Sequence, residues 1–461
     1  MSHAPFSTLN MHADLLQNLS SLGYEEMTPI QAESLPHILA GKDVIGQGKT
    51  GSGKTAAFGL GLLNRLDVKQ LHVQSLVLCP TRELADQVSK EIRRLARTIS
   101  NIKVLTLCGG MPFGPQIGSL EYGAHIIVGT PGRIEDHLGR GTLKLDGVTT
   151  LVLDEADRML EMGFQASVDA IVGRLPKQRQ TLLFSATFPD QIKAISNRIM
   201  SKSVMVQVES THDTNTISQH FYQTGDFKQS MIALRLLLLE HTPESCVIFC
   251  NTKRETKEIA DELISHGFSA LALNGDLEQR DRDQTMVRFA NRSTSILVAT
   301  DVAARGLDID ALDAVINFQL PHEPETYLHR IGRTGRAGSK GEAFTLHNGN
   351  DYKLTMLSDY IKRTIECEPL PPLCVLDKRP GKPAMATLQI GGGKKQKLRP
   401  GDILGALTGE HGITGKQVGK IHILDNQAYV AVSRNAVKVA LNKLSEGKLK
   451  GRSFRVRLMS D

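Results

Sequence analysis

The sequence has no tryptophan, only 5% aromatic residues and only six cysteines in 461 positions. Cys79, Cys108, Cys246, Cys250, Cys367 and Cys374 form no CxxC pair and stand at no zinc-like spacing from histidine. That argues against a disulfide framework, a zinc module or a dithiol motif. Cys79, Cys246 and Cys250 lie in apolar runs, where a free thiol behaves as a small hydrophobe. Apolar stretches such as 236–239 and 247–249 fall far short of the roughly 20 residues a membrane-spanning helix needs. The opening MSHAPFSTLN has neither a basic nor an apolar leader region, so the expectation is a soluble, cytoplasmic protein away from membranes. What is present is an ordinary globular composition, 40% hydrophobic and 23% charged. A chain of this length suggests about two to four domains.

Charge is unevenly placed. Residues 381–461 carry 15 Lys and Arg against 5 Asp and Glu, although the whole chain has 55 against 49. A basic end on a nearly neutral body points to a polyanion as that segment's partner.

From about residue 44 to 205, short apolar runs (43–46, 76–79, 104–107, 126–128, 151–153, 181–184) alternate with amphipathic helical stretches. Near-continuous β-branched and Leu runs predict strands buried on both faces of a parallel sheet. A polar stretch, 209–218, reads as a linker, and a second strand–helix series follows at 247–250, 270–273, 296–299, 314–318 and 343–346. Pro369, Pro371, Pro372, Pro380 and Pro383 mark a stiffer linker. Beyond it the order reads strand (386–390), helix (399–407), strand (419–423), strand (428–432), helix (435–444), strand (454–458). This β-α-β-β-α-β order is shared by many RNA-recognition domains. The expected division is 1–207, linker 208–218, 219–368, linker 369–384, and 385–461.

Gly48-Lys49-Thr50-Gly51-Ser52-Gly53-Lys54-Thr55 fits G-x-x-x-x-G-K-[ST], between an expected strand and an expected helix. Such a loop curls so that backbone N–H groups face phosphate oxygens, Lys54 neutralises their charge, and the Thr55 hydroxyl can ligate Mg²⁺. Leu151-Val152-Leu153 ends in Asp154-Glu155, at the strand edge where ligands bind in parallel sheets. Adjacent acids also suit a helix N-terminus. Beside a phosphate loop they read as a Mg²⁺ ligand (Asp154) and a group that orients or deprotonates water (Glu155).

Residues 154–157 spell Asp-Glu-Ala-Asp, and further motifs follow in order: Pro80-Thr81-Arg82-Glu83-Leu84-Ala85, Gly109-Gly110, Thr130-Pro131-Gly132-Arg133, Ser185-Ala186-Thr187, Gln279-Arg280-Asp281-Arg282, residues 299–308 and His329-Arg330-Ile331-Gly332-Arg333-Thr334-Gly335-Arg336. In this series the chain resembles the DEAD-box RNA helicases. The resemblance implies two RecA-like parallel-sheet domains in tandem, an α/β fold, plus a small α+β RNA-recognition-like domain. It implies ATP and Mg²⁺ as cofactors and RNA as partner, with Gln31 reading adenine, Phe6 packing on the base, and Asp308 on the ribose. Gly48, Thr50, Gly51, Ser52, Gly53, Lys54 and Thr55 would cradle the phosphates. Arg333 and Arg336 would reach the γ-phosphate, while His329 would couple to Asp157, Ser185 and Thr187. RNA would lie across Thr81, Arg82, Gly110, Thr130, Gly132, Arg133, Gln279, Arg282, Thr300 and Arg305. Met27 and Gly48 depart from the residues commonest in the family.

The basic end resembles the RNA-binding domain of the DbpA group of these proteins, through Lys394-Lys395, Arg399-Pro400-Gly401-Asp402 and Gly447-Lys448-Leu449-Lys450-Gly451. That implies a hairpin of large-subunit ribosomal RNA, within pre-ribosomal particles, as the target of a monomeric enzyme. Of the stacking aromatics expected on the two central strands only Tyr429 stands at a matching place, and it suits a core position equally. Lys394, Lys395, Lys448, Lys450, Arg452 and Arg455 are therefore expected to grip structured RNA by charge and shape. Two other readings are an ATP-timed RNA clamp with little unwinding and a processive DNA translocase; the DEAD sequence and Gln31 disfavour the second.

Overall fold

The computed structural model describes residues 4–48, 51–208, 217–304, 312–335, 341–349 and 351–459. They form two compact units, one holding a seven-stranded sheet and the other a six-stranded and a four-stranded sheet.

In the first unit, β1 (Val44–Gln47), β2 (Ser75–Leu78), β3 (Val104–Leu107), β4 (Ile126–Gly129), β5 (Thr150–Asp154), β6 (Gln180–Ser185) and β7 (Val204–Gln207) pair in the order β3-β4-β2-β5-β6-β1-β7, every pairing parallel. Successive side chains go to opposite faces. Val44, Val77, Val128, Val152 and Leu182 therefore enter one core, and Ile45, Leu76, Ile127, Leu151 and Leu183 the other. That double burial is the physical source of the continuous apolar runs.

The second unit contains β8 (Ile217–Thr224), β9 (Cys246–Cys250), β10 (Ala270–Leu273), β11 (Ile296–Thr300), β12 (Ala314–Asn317) and β13 (Gly341–Asn348), ordered β10-β11-β9-β12-β13-β8 and again wholly parallel. β8 begins at Ile217, inside the stretch expected as linker. Its sequence, ISQHFYQT, is half polar because it is only partly buried at the side of the sheet, which hides the strand from a search for apolar runs.

The third sheet comprises β14 (Met385–Ile390), β15 (Val418–Ile423), β16 (Ala428–Ser433) and β17 (Val456–Leu458), antiparallel in the order β15-β16-β14-β17. Helices Pro400–Thr408 and Val437–Glu446 cover one face through Ile403, Leu407, Ala440 and Leu444. The residues of the other face, Thr387, Gln389, Tyr429 and Ala431, are buried as well. Asn291 Nδ2 donates to Thr387 Oγ1 at 3.1 Å, and Ser293 Oγ lies 2.7 Å from the same hydroxyl. The turn after the helix Gln279–Ala290 thus closes over this sheet face.

A Thr387→Arg substitution would bury a cation in that contact, at a cost of about 3 kcal/mol or more. The expected result is a separate, earlier melting transition for the third sheet in calorimetry. A single unchanged transition would show that the contact contributes nothing.

Candidate nucleotide and RNA site

The phosphate loop leaves β1 and enters the helix Lys54–Arg65 through Gly51 and Gly53, both left-handed at φ 82° and 94°. Gly53 has a second constraint: a Cβ there would come within 2.5 Å of Gln31 Nε2 and 2.9 Å of Thr28 Oγ1. Gln31 ties its helix to the loop, accepting from Thr28 N–H at 2.9 Å and donating to the Gly53 carbonyl at 3.1 Å. Adenine pairing through Gln31 therefore requires these bonds to be shared or exchanged. The buried Lys54 ammonium donates to the Gly48 carbonyl. Ser52 Oγ is buried and has no hydrogen-bond partner among the described residues, an orphan that fits a phosphate oxygen. Phe6, expected to pack on the base, is 3% exposed and meets Tyr24 edge-on at 6.2 Å. As placed, its ring belongs to the core, because the N-terminal turn folds back onto the same apolar cluster.

At the end of β5, Asp154 and Glu155 are both buried. Burial first, then the neighbouring Glu155, pushes the Asp154 carboxyl up to about 7, against the pull of Lys54. A buried, poorly neutralised carboxylate is the kind of hard-oxygen donor that Mg²⁺ accepts. Among the described residues no cluster of three or more His, Cys, Asp or Glu could hold a metal. Glu155 is left-handed at φ 52°, a conformation costly for a residue with a side chain and often stored at working sites. Its Oε2 lies 3.2 Å from the equally buried Arg158. Sequence reasoning passed over Arg158, although an acid and a base three apart on a helix were the available signal.

Asp157, Ser185 and Thr187 come together. Asp157 Oδ2 accepts from Ala186 N–H at 3.1 Å, from Thr187 N–H at 2.9 Å and from Thr187 Oγ1 at 3.0 Å, while Asp157 N–H donates to Ser185 Oγ at 3.3 Å. Burial pushes this carboxyl up, but the Thr187 N–H, the Arg158 and Lys54 charges and the Ser185 hydroxyl outweigh it and hold it below its usual range.

The expected RNA residues of the first unit follow β2, β3 and β4. Thr81 caps its helix by accepting from Leu84 N–H at 3.2 Å. Arg82 lies flat on Gly110, where a Cβ would stand 1.8 Å from its guanidinium; this close approach and φ 73° account for the glycine. Thr130 precedes the helix Pro131–Gly139, and Gly132 has open space where a Cβ would be. Arg133 is engaged inwards: it donates to Met111 O at 3.0 Å and Gln116 Oε1 at 2.8 Å, and its guanidinium stands 4.6 Å from the centre of the Phe113 ring.

In the second unit, Gln279 Nε2 donates to Asp283 at 2.8 Å, and Arg282 donates to the Ala303 carbonyl at 2.9 Å, next to Thr300 at the end of β11. Arg333 is buried, and His329 is half-buried on the helix Pro324–Ile331. Arg330 was missed. It is 2% exposed and donates to both oxygens of Asp301 at 2.7 Å, to Asn251 at 3.0 Å, to Asn317 at 3.2 Å and to the Gln319 carbonyl at 2.8 Å. One guanidinium thereby pins the segments leaving β9, β11 and β12. Thr50, Arg305, Asp308 and Arg336 lie outside the described residues. In the third sheet's domain Lys394, Lys395, Lys448, Lys450, Arg452 and Arg455 are exposed, as a charge-and-shape grip needs. Tyr429 is 1% exposed and hydrogen-bonds Gln427 at 2.6 Å, so it offers no stacking face.

Because the Asp157 carboxyl is depressed in the folded state, its contribution to stability is complete above the unfolded value near 4 and disappears as pH falls through the folded value. The stability gap between the wild type and Asp157→Asn should be widest at neutral pH and narrow below about pH 4 in denaturant titrations. A gap independent of pH would contradict the assignment.

Comparison with known proteins agrees with this geometry. Residues 28–195 match the DEAD/DEAH box helicase family, 228–338 the helicase conserved C-terminal domain and 387–458 the DbpA RNA binding domain. The chain is 52% identical to the ATP-dependent RNA helicase DbpA of Escherichia coli (strain K12) over 98% of its own length and 99% of that protein. It is 46% identical to the DEAD-box ATP-dependent RNA helicase CshA of Geobacillus kaustophilus (strain HTA426), over 74% of this chain and 73% of that one. Among solved structures it is similar to S. cerevisiae Dbp5 bound to RNA and ADP BeF3, with a TM-score of 0.72 and 30% identity over 80% of this chain and 95% of that one. The two parallel sheets with their strand-end motifs, the exposed basic domain and this full-length similarity give one answer: the chain belongs to the DEAD-box ATP-dependent RNA helicases, and among them to the DbpA type.

Proposed function

We propose that the protein is an RNA-dependent ATPase that locally unwinds short RNA duplexes and is directed by its basic C-terminal domain to large-subunit ribosomal RNA during ribosome assembly in the cytoplasm. The observation that carries the reading is the layout of the first sheet. Strands β3-β4-β2 end in the RNA motifs, and β5-β6-β1 end in the ATP motifs, along one continuous carboxyl edge. Nucleotide and RNA are thus held by one rigid element, and what moves one loop strains the other.

In this reading Gly51, Ser52, Gly53 and Lys54 hold the phosphates, and Gln31 reads the adenine edge. Thr55 and Asp154 would hold Mg²⁺, which would supply charge neutralisation at the phosphates. Glu155 positions the attacking water and takes its proton. Arg333 and Arg336 belong to the second domain and reach the transferring phosphoryl group only on closure, where such arginines contribute factors of roughly 10³–10⁵ in rate. RNA bridging both domains favours closure, and by linkage ATP favours RNA binding equally. Thr81, Arg82, Gly110, Thr130, Gly132, Gln279, Arg282, Thr300 and Arg305 hold the sugar–phosphate backbone, which carries little sequence information. Arg133 joins them after exchanging an internal bond. The domains so used are 1–207, 219–368 and 385–461, acting as a monomer on a structured hairpin of pre-ribosomal particles.

Glu155→Gln tests the assignment, with ATP turnover and strand separation measured on one short RNA duplex. The variant should lose about 10²-fold or more in kcat while keeping ATP and RNA binding. Turnover at the wild-type rate would remove Glu155 from the chemistry. In the wild type, hydrolysis with no strand separation would replace the unwinding reading with that of an ATP-timed clamp.

A further inference from the structure

Cys367 and His347 form a hydrogen-bonded pair outside every motif used above. His347, next to last in β13, is a buried side chain, 4% exposed, and Cys367 is exposed where the chain leaves the second domain. His347 Nε2 lies 3.2 Å from Cys367 Sγ, and Nδ1 lies 3.2 Å from the Asn348 carbonyl. A carbonyl oxygen only accepts, so Nδ1 carries the ring proton and Nε2 presents a lone pair. The Cys367 S–H then donates to that lone pair. This is the arrangement of a nucleophile with its base, and the base is held by a third group.

Backbone contacts hold the thiol in register. Cys367 bridges Phe221 of β8, and Glu368 N–H donates to the Phe221 carbonyl at 2.8 Å. The Glu368 carboxylate is engaged by His220 at 2.8 Å and by the Tyr222 hydroxyl at 3.3 Å. The base is buried and Cys367 is an exposed residue, so an electrophile can approach it without disturbing the fold.

We propose that Cys367 is a reactive thiol, activated by His347, that exchanges with small disulfides. Its sulfur attacks one sulfur of the disulfide, a new S–S bond forms, and the old S–S bond breaks with its electron pair on the leaving sulfur. The proton lost by Cys367 passes to His347 Nε2 and then to the leaving thiolate, so the reaction is balanced and an added thiol reverses it. Glu366 and Glu368 flank the site and favour neutral or cationic disulfides over anionic ones. The adduct sits at the exit into residues 369–384 and marks reversibly the segment that leads to the third domain.

Cys374 is the internal control: it is also exposed, eight positions before Lys382, and no histidine hydrogen-bonds it among the described residues. The full-length protein is treated with limiting 2-hydroxyethyl disulfide at neutral pH, and adducts on the two cysteines are followed by mass spectrometry. Cys367 should react on the order of tenfold faster than Cys374. His347→Gln should bring Cys367 down to the Cys374 rate and leave Cys374 unchanged. Equal rates in the wild type would overturn the proposal, as would a preference that survives His347→Gln. Should that variant unfold, seen as reaction of the buried Cys246 and Cys250, the wild-type ratio decides alone.

Discussion

Asp154 and Glu155 leave the end of β5 almost shut off from water, within reach of Lys54 and Arg158. Removing charge from water is expensive unless opposite charge and hydrogen bonds replace the solvent. In the first unit the replacement is incomplete, since the Asp154 carboxyl is pushed up to about 7. Opposite charge is what would lower the cost of two buried carboxylates at such an edge. The left-handed Glu155, the orphaned Ser52 hydroxyl and the glycine turns beside Gln31 belong to the same unit.

The second unit meets the same constraint with the opposite sign. There the buried charge is a guanidinium, and Arg330 is fully answered by Asp301, Asn251, Asn317 and the Gln319 carbonyl. Its charge is used up internally. In the first unit the internally satisfied group is Asp157. It binds Ser185, Ala186 and Thr187, so the end of β5 and the end of β6 move as one piece.

Much of the fold could be read from the residues because parallel strands buried on both faces leave an unbroken apolar trace, as at β4 and β5. The phosphate loop and the acids after β5 were equally legible, since each depends on local spacing. What escaped depends on distant neighbours. β8 is half polar and lies at the side of its sheet. Arg330 differs from Arg333 only in what surrounds it. Phe6 turns into the core against Tyr24 as its segment pairs with residues 26–27, and Tyr429 is closed off beneath residues of another domain. Cys367 gave no signal in sequence, because its partner stands twenty residues earlier at the end of a different strand.

The proposed function makes ATP hydrolysis depend on bound RNA. Its most direct test is steady-state ATP turnover by the full-length protein, first without any polynucleotide and then with saturating RNA. Turnover should be close to background alone and rise by orders of magnitude with RNA. Full-speed hydrolysis in the absence of nucleic acid would contradict it.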